Sequence, residues 1–413
     1  MTLRTAIKKY YILFLCVNIF LPKINLGFGN FYLFELLNVI LLLVLLPFVK
    51  IPTSRVAVSY VMFMALTLAS FALGVFKFGF IDGPSLGRVL KFTFFVFYLI
   101  VPYYVADKVS YRDLNQTLNF QILFLMVAGI YVVFNMITAP LSLNEYMWGY
   151  DNKYRLVGLT GYAIDLSGAI ERLENTTSVS MGVFVALIFL IQLSVYRAQG
   201  GLLNLFITFA LLGLELLTYS RAGVLVIIIG LTYYFILNLK PSLAIKAAMF
   251  LAVIVVAGLI FSLTETLQEA GTISKFTKLS ITDDPRFQMG LAAMEHFANH
   301  PFTLIIGNGY GEAYTELETG YPHLESLFLT TLFTSGLIAT LLLCLFFYFI
   351  HETSSRYSRF QSEFKPFLNG IRLFVPGWFL SSFIAGNTLQ TDFYFPFIFF
   401  ILFVSIEKSK TLP

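Results

Sequence analysis

The 413-residue chain reads as an all-α, polytopic membrane protein of about twelve transmembrane helices, with a long outer loop that contains short amphipathic helices. Three observations predict this. Apolar residues make up 58% of the sequence and charged residues only 12%, against roughly 25% charged in soluble domains. The apolar residues gather in runs of about 20, the length that crosses a bilayer as a helix. Short polar punctuation separates these runs, except at two places where the intervening stretch is long. The same figures exclude a water-soluble enzyme with one core, a nucleic-acid binder and a disulfide scaffold. The two cysteines, Cys16 and Cys344, both fall inside apolar runs and imply no disulfide or metal framework.

Taken in order, the apolar windows place helices at 10–28, 32–49, 56–76, 90–106, 118–138, 176–196, 201–219, 223–239, 247–263, 325–350, 371–386 and 390–406. The chain then divides into helices over 1–138, a first outer loop at 139–175, helices over 176–263, a large outer loop at 264–324 and closing helices over 325–413. An even number of spans puts both termini on one side. Sixteen of the twenty-seven Lys and Arg residues lie at the termini and in the alternate loops at 50–55, 107–117, 197–200, 240–246 and 351–372. By the positive-inside rule these are cytoplasmic. Only Asp107, Asp113, Glu352, Glu363 and Glu407, of twenty-three acidic residues, share that side. The first span is followed by Leu21-Pro22-Lys23 with no small-residue cleavage site, so it reads as a retained helix rather than a removed signal. No repeat of fixed period is visible, so no duplicated transporter half is supported.

Both long loops fall on the outer side, where loops on a rigid helical scaffold commonly carry function. Within the second, Asp283-Asp284-Pro285 is a helix start signal, and Phe287, Leu291, Met294 and Phe297 follow at helical spacing before His300-Pro301. An amphipathic helix beside the membrane is expected over 285–299.

Four groups of residues could carry chemistry. Arg221, in Thr218-Tyr219-Ser220-Arg221-Ala222-Gly223, stands close to the hydrocarbon, where an arginine is costly and commonly faces protein or a water-filled cavity. Its alternative role is to snorkel to the headgroups. Glu215 nearby supports burial, though six residues of separation assure no direct pair. Arg286 opens the expected outer helix. Arginine suits a diphosphate, because its planar fork makes two charge-assisted hydrogen bonds and stays charged, while a surface pairing with Asp283 or Asp284 is the alternative. Gly307-Asn308-Gly309-Tyr310-Gly311 permits close backbone approach but lacks the strand, spacing and lysine of a phosphate loop. After it come His323 and Glu325, either of which could act as a general base at the membrane surface. The first outer loop offers Arg155, Asp165, Glu171, Arg172 and Glu174 interleaved with Tyr146, Trp148, Tyr150, Tyr154 and Tyr162. Such a mixture suits sugar rings, and equally an interfacial aromatic belt. No HExxH, Asp-x-Asp, paired CxxC or GxSxG is present, which disfavours a metal-dependent hydrolase or a nucleotide-sugar enzyme of soluble type.

In order and spacing, Tyr219-Ser220-Arg221-Ala222-Gly223 opening an apolar helix, Arg286, His300-Pro301, Gly307-x-Gly309-x-Gly311 and a polar pair leading into a helix with Gly336-Leu337-Ile338 resemble the O-antigen ligase and O-antigen polymerase (Wzy-type) superfamily over about 205–345. Arg155 to Gly161 resembles that family's earlier outer loop. The resemblance implies a GT-C-like, cofactor- and metal-independent, inverting glycosyltransferase of lipopolysaccharide or other polysaccharide biosynthesis. It would sit in a bacterial inner membrane with its site facing the periplasm. Donor and acceptor would be undecaprenyl-diphosphate-linked oligosaccharides. Membrane lipid, a chain-length regulator and a flippase are further implied partners, and nucleic acid is not. Arg221 and Arg286, with Tyr219, would hold the diphosphate, and Arg155, Asp165 and Glu174 the glycan. Ligases carry a histidine about eleven residues before the helix glycine, where this chain has Glu325, with His323 two residues earlier. Glu325-Ser326 favours a polymerase, with Glu325 as catalytic or acceptor-orienting residue and His323 as its rival. The alternatives are a ligase acting on lipid A-core and a transporter or flippase for a lipid-linked sugar.

Overall fold

The computed structural model describes residues 2–18, 21, 23–26, 30–48, 52–138, 156, 162–164, 170–172, 176–218, 220–238, 285–322, 324, 326–360, 363–383 and 394–409. These fold into a helical bundle: α1 (Leu3–Val17), α2 (Leu33–Leu45), α3 (Arg55–Phe78), α4 (Gly83–Val105), α5 (Tyr111–Thr138), α6 (Thr176–Gln199), α7 (Leu202–Thr218), α8 (Arg221–Asn238), α9 (Pro285–Asn299), α10 (Thr303–Ile306), α11 (Glu312–Thr319), α12 (Leu327–Phe360), α13 (Lys365–Ser381) and α14 (Phe395–Ser409). Among the described residues five stretches are long and apolar enough to cross a membrane, Arg55–Phe78, Gly83–Lys108, Tyr111–Asn135, Ser180–Gln199 and Leu327–Arg359, and Leu33–Leu45, Leu202–Thr218 and Ala222–Leu237 are shorter apolar helices. The chain is a multi-pass membrane protein. The expected span at 247–263 lies outside the described residues.

Sequence composition explains which helices sit at the centre. In α14, Phe-Pro-Phe-Ile-Phe-Phe-Ile-Leu-Phe-Val is apolar all round, and every residue from Phe395 to Ile406 is buried, as expected of a helix with no polar face to turn outward. Tyr11 donates a hydrogen bond to the Pro396 carbonyl at 3.2 Å and its ring meets Phe97 and Phe400. Trp378 of α13 fills the space between Phe347, Phe374, Tyr394 and Phe395. Close backbone approach, rather than large side chains, joins α13 to α6 and α8. A Cβ at Gly370 would strike the Ile191 backbone, and one at Gly377 the Val226 backbone, so small residues set these crossings. A Lys91–Glu35 ion pair of 3.6 Å, its carboxylate buried, links α4 to α2 within the apolar layer.

Contacts sort the inter-helix segments onto two ends. At one, the basic end, Arg4 pairs with Asp107 at 3.4 Å, Lys8 with Asp113 at 3.1 Å and Arg55 with Glu352 at 3.8 Å, while the Tyr111 backbone N–H donates to Glu363. At the other, the loop end, the glycine-rich stretch after α10 bonds to α3 and α12, and the Leu327 N–H donates to the Ser382 carbonyl at 3.0 Å.

The structure departs from the sequence reading in three details. The first helix is not 10–28 but Leu3–Val17: Thr2 caps it, its N-terminal turns carry Arg4, Lys8 and Lys9, which an apolar window rejects, and Pro22 cannot continue a helix beyond Asn18. The fold is all-α as expected, with one small addition that the sequence reading lacks: β1 (Lys23–Asn25), β2 (Asn30–Tyr32), β3 (Tyr162–Ile164) and β4 (Ile170–Arg172) form a sheet of order β2-β1-β3-β4. Within it β1 and β3 run parallel, with Lys23 opposite Ala163, so the first outer loop docks on the α1–α2 connection. Strands of three residues are too short to show an alternating pattern. Finally, α9 spans Pro285–Asn299 as expected but packs through Ala293, His296 and Phe297, leaving Leu291 and Met294 exposed.

Candidate functional site

The described residues of the α7–α8 turn are held by hydroxyl side chains around a buried carboxylate. Thr218 Oγ1 donates to the Glu215 carbonyl at 2.7 Å and lies 3.3 Å from its carboxylate, and it accepts the Ser220 N–H at 3.1 Å. Ser220 Oγ in turn accepts the Gly223 N–H at 3.1 Å, an N-cap that starts α8 at Arg221. Glu215, Thr218 and Ser220 are all buried. The Glu215 carboxylate lies against Gly223, and Gly182 of α6 against Ser220, where any Cβ would collide. Leu156, itself buried, donates its N–H to the Leu217 carbonyl at 2.8 Å, tying the first outer loop to this turn.

Arg221 is the first residue of α8 and Arg286 the second of α9. Both therefore stand in the first turn of a helix, where the helix dipole favours an anion. Their side chains lie outside the described residues, as do Tyr219, Arg155, Asp165, Glu174, His323 and Glu325 in full. What the fold brings together are their neighbours: Leu156 with the turn preceding Arg221, and Leu324 with α9. Leu324 shares a small apolar cluster with Ala293, Phe297 and Phe333, so the helix that Arg286 opens packs on the residue between His323 and Glu325. Ser326 Oγ accepts the Leu329 N–H at 3.3 Å, and Thr330 Oγ1 donates to the Leu324 carbonyl at 2.7 Å, anchoring both flanks of Glu325 to the start of α12.

The glycine-rich stretch has a structural task. Gly336 breaks α12 with φ 80° and ψ −180°, which frees carbonyls in an apolar helix. Asn308 N–H donates to the Phe333 carbonyl at 2.9 Å and Gly309 N–H to that of Thr334 at 3.0 Å, while Tyr310 N–H reaches the Ser70 carbonyl at 3.1 Å. The N–H groups that a phosphate cradle would offer are spent on the scaffold.

Two clusters around this stretch were not legible beforehand. His296 lies between Glu318, 3.3 Å from Nδ1, and Asn308, whose Nδ2 is 2.7 Å from Nε2; Lys77 Nζ joins Asn308 Oδ1 at 3.0 Å and Glu318 Oε1 at 2.6 Å. With Asn308 Oδ1 facing the ammonium, its amide donates to Nε2 and the imidazole proton sits on Nδ1 toward Glu318. Burial pulls the His296 pKa below its ordinary value, outweighing the Glu318 charge. Alongside, Asp82 Oδ2 accepts from Ser85 Oγ at 2.5 Å and the Glu312 N–H at 2.9 Å, and Arg88 pairs with Glu312 at 2.6 Å. Lys77 and His296 are more than two hundred residues apart in sequence, so only an Asp-Gly-Pro helix start at 82–84 could have hinted at either cluster. Among the described residues no group of three or more His, Cys, Asp or Glu is placed to hold a metal ion.

Residues 205–344 match the family described as O-Antigen ligase. That segment, about a third of the chain, runs from α7 through the broken α12 and includes both arginine-led helices, the glycine-rich stretch and the 323–325 segment. No curated protein matches the chain.

Proposed function

We propose that the protein is an inverting glycosyltransferase that polymerises undecaprenyl-diphosphate-linked oligosaccharide repeats on the outer face of a bacterial inner membrane, supplying O-antigen, capsule or exopolysaccharide. The observation that carries the reading is the O-antigen-ligase-like segment with two arginines at helix N-termini, an arrangement suited to a dianionic leaving group. In this reading the chain crosses the membrane twelve times, both termini are cytoplasmic, and the loop end faces the periplasm. The clustering of basic segments at one end supports that orientation.

The acceptor hydroxyl of one lipid-linked repeat attacks the anomeric carbon of the growing chain while Glu325, or His323 in its place, takes the hydroxyl proton. The bond from that carbon to the diphosphate oxygen breaks, and lipid diphosphate departs with the electron pair. Arg221, Arg286 and Tyr219 stabilise the charge that develops on it. Arg155, Asp165 and Glu174 contact the glycan, and the Leu156–Leu217 hydrogen bond supports drawing that loop to the same site. No metal or cofactor is required. A second reading, transfer of finished glycan to lipid A-core, is favoured by the description of the matching family and opposed by Glu325 at the position of the ligase histidine.

The test is to incubate the protein in nanodiscs with undecaprenyl-diphosphate oligosaccharide alone and resolve the products by gel and mass. A ladder spaced by whole repeats, still on lipid diphosphate, is expected. Transfer only after lipid A-core is added would replace the polymerase with the ligase, and absence of both would overturn the glycosyltransferase reading.

A further inference from the structure

We infer that residues 301–306, the turn and short helix α10 that follow α9, form a re-entrant element inserted among the acyl chains of the leaflet at the loop end. One face of the segment packs on α12, and its exposed face thereby meets lipid. Depth is the first argument. A Cβ at Gly336 would meet the Ile305 carbonyl and one at Gly307 the Thr334 carbonyl, so α10 abuts the break in α12. The apolar part of α12 ends at Ile350, before His351 and Glu352; counting back about 20 residues, the span of a hydrocarbon layer, leaves Gly336 some five residues or roughly 8 Å inside it. The same count along α3 from Val56 reaches about residue 75, so Ser70, which accepts the Tyr310 N–H, lies at a similar depth. Two helices agree.

Chemistry is the second argument. Backbone polar groups survive in hydrocarbon only if satisfied internally. Every N–H from Thr303 to Tyr310 donates to a backbone carbonyl, successively those of His300, Pro301, Phe302 (twice), Thr303, Phe333, Thr334 and Ser70. The one hydroxyl, that of Thr303, donates to the His300 carbonyl at 2.6 Å.

Exposure supplies the third. Phe302 is 78% exposed, Ile305 50% and Ile306 58%, a concentration of apolar surface that water would penalise. It is continuous with Ile338, 56% exposed, and with Leu337 and Leu341 on the adjacent turns of α12. A spanning helix presents that face to lipid, and whatever covers it covers α10 as well.

The experiment measures nitroxide accessibility in the full chain. Single cysteines, Phe302→Cys, Ile305→Cys and Ile306→Cys, are placed in a Cys16→Ala, Cys344→Ala background, spin-labelled and reconstituted in nanodiscs of phosphatidylethanolamine and phosphatidylglycerol. Collision with oxygen should exceed collision with a water-soluble nickel chelate, as at an Ile338→Cys control and opposite to a Leu317→Cys control on α11. Nickel-dominated collision would overturn the inference, and so would shielding from both reagents, which means that protein covers the segment. Because labelling could disturb the fold, the unaltered chain is also photolabelled with phosphatidylcholine bearing a diazirine in its acyl chain. Adducts on the 301–306 peptide support insertion, and their absence beside labelled 337–341 refutes it. Neither readout depends on turnover, so the enzymatic reading stands or falls separately.

Discussion

Replacing Gly336 by alanine should destabilise the loop end strongly. At φ 80° and ψ −180° the residue occupies a region reserved for glycine, and an added Cβ meets the Ile305 carbonyl, which is backbone and cannot rotate away. If the break in α12 is kept, strain costs about 1–3 kcal/mol and the overpacking another 1–3. If instead the helix straightens, the Phe333 and Thr334 carbonyls return to the helix ladder. The N–H groups of Asn308 and Gly309 then lose their acceptors at about 1–3 kcal/mol each. Either route comes to about 2–6 kcal/mol. Gly290, in the middle of α9 with nothing within 4 Å of a built Cβ, is the matched control, where alanine should stabilise by about 0.5–1 kcal/mol through helix propensity. Thermal aggregation of both variants in the same detergent, followed by size exclusion, measures the pair. A Gly336→Ala protein that melts at or above the wild type would refute the claim that this glycine holds the break.

Three further outcomes are expected. Charge reversal at Arg221 and at Arg286 should each abolish ladder formation without lowering the yield of folded protein, and full activity in both would remove the diphosphate clamp. Glu325→Gln should depress turnover strongly while His323→Gln does not, and the reverse result would make His323 the base; both assays run unchanged with a chelator present if no metal takes part. The depressed pKa of His296 sets a pH dependence with a definite sign: the folded state favours neutral imidazole, so its contribution is present above about pH 6.5, the ordinary histidine value, and is lost as pH falls through that range toward the depressed folded value. Protection factors of the amides of 307–311, with the intrinsic pH dependence of exchange divided out, should therefore fall on acidification, and a His296→Gln variant should lose most of that response.

Much of the architecture was readable from apolar run length, because the bilayer imposes one length on every crossing element. The start of α12, the all-round apolar α14 and the Asp-Asp-Pro start of α9 all belong to that kind of local signal. Elements outside it were not readable. The β1–β3 pairing joins residues about 140 positions apart through strands too short to alternate, and α1 begins among Arg4, Lys8 and Lys9 because Asp107 and Asp113 wait beside them in the folded bundle. On α9 the apolar stripe was visible, but the sequence does not say which apolar residues meet protein and which meet lipid. Leu291 and Met294 fell on the exposed side. For the site, the arginine-led helices were legible as motifs, whereas the Lys77–Asn308–Glu318–His296 network exists only once α3, α9 and α11 are assembled.

The glycine-rich stretch shows how such a motif can mislead and what its true role implies. Alternating glycines before a helix invite a phosphate-binding interpretation, since exposed N–H groups are what a phosphate needs. Here Asn308, Gly309 and Tyr310 direct theirs to Phe333, Thr334 and Ser70, and the glycines serve to let two backbones touch. In the proposed reading, anion binding at the loop end falls instead to the first turns of α8 and α9, where the helix dipole favours negative charge and the sequence supplies Arg221 and Arg286. The clamp and the anion site would then be separable by mutation. Gly307→Ala, whose Cβ would strike the Thr334 carbonyl, should lower stability and activity together. Arg286→Gln should lower activity alone, with thermal stability within about 0.5 kcal/mol of wild type, the usual range for a substitution that breaks no packing or buried pairing. Parallel loss of stability in both variants would mean that Arg286 is part of the scaffold and would return the search for the diphosphate site to the α7–α8 turn.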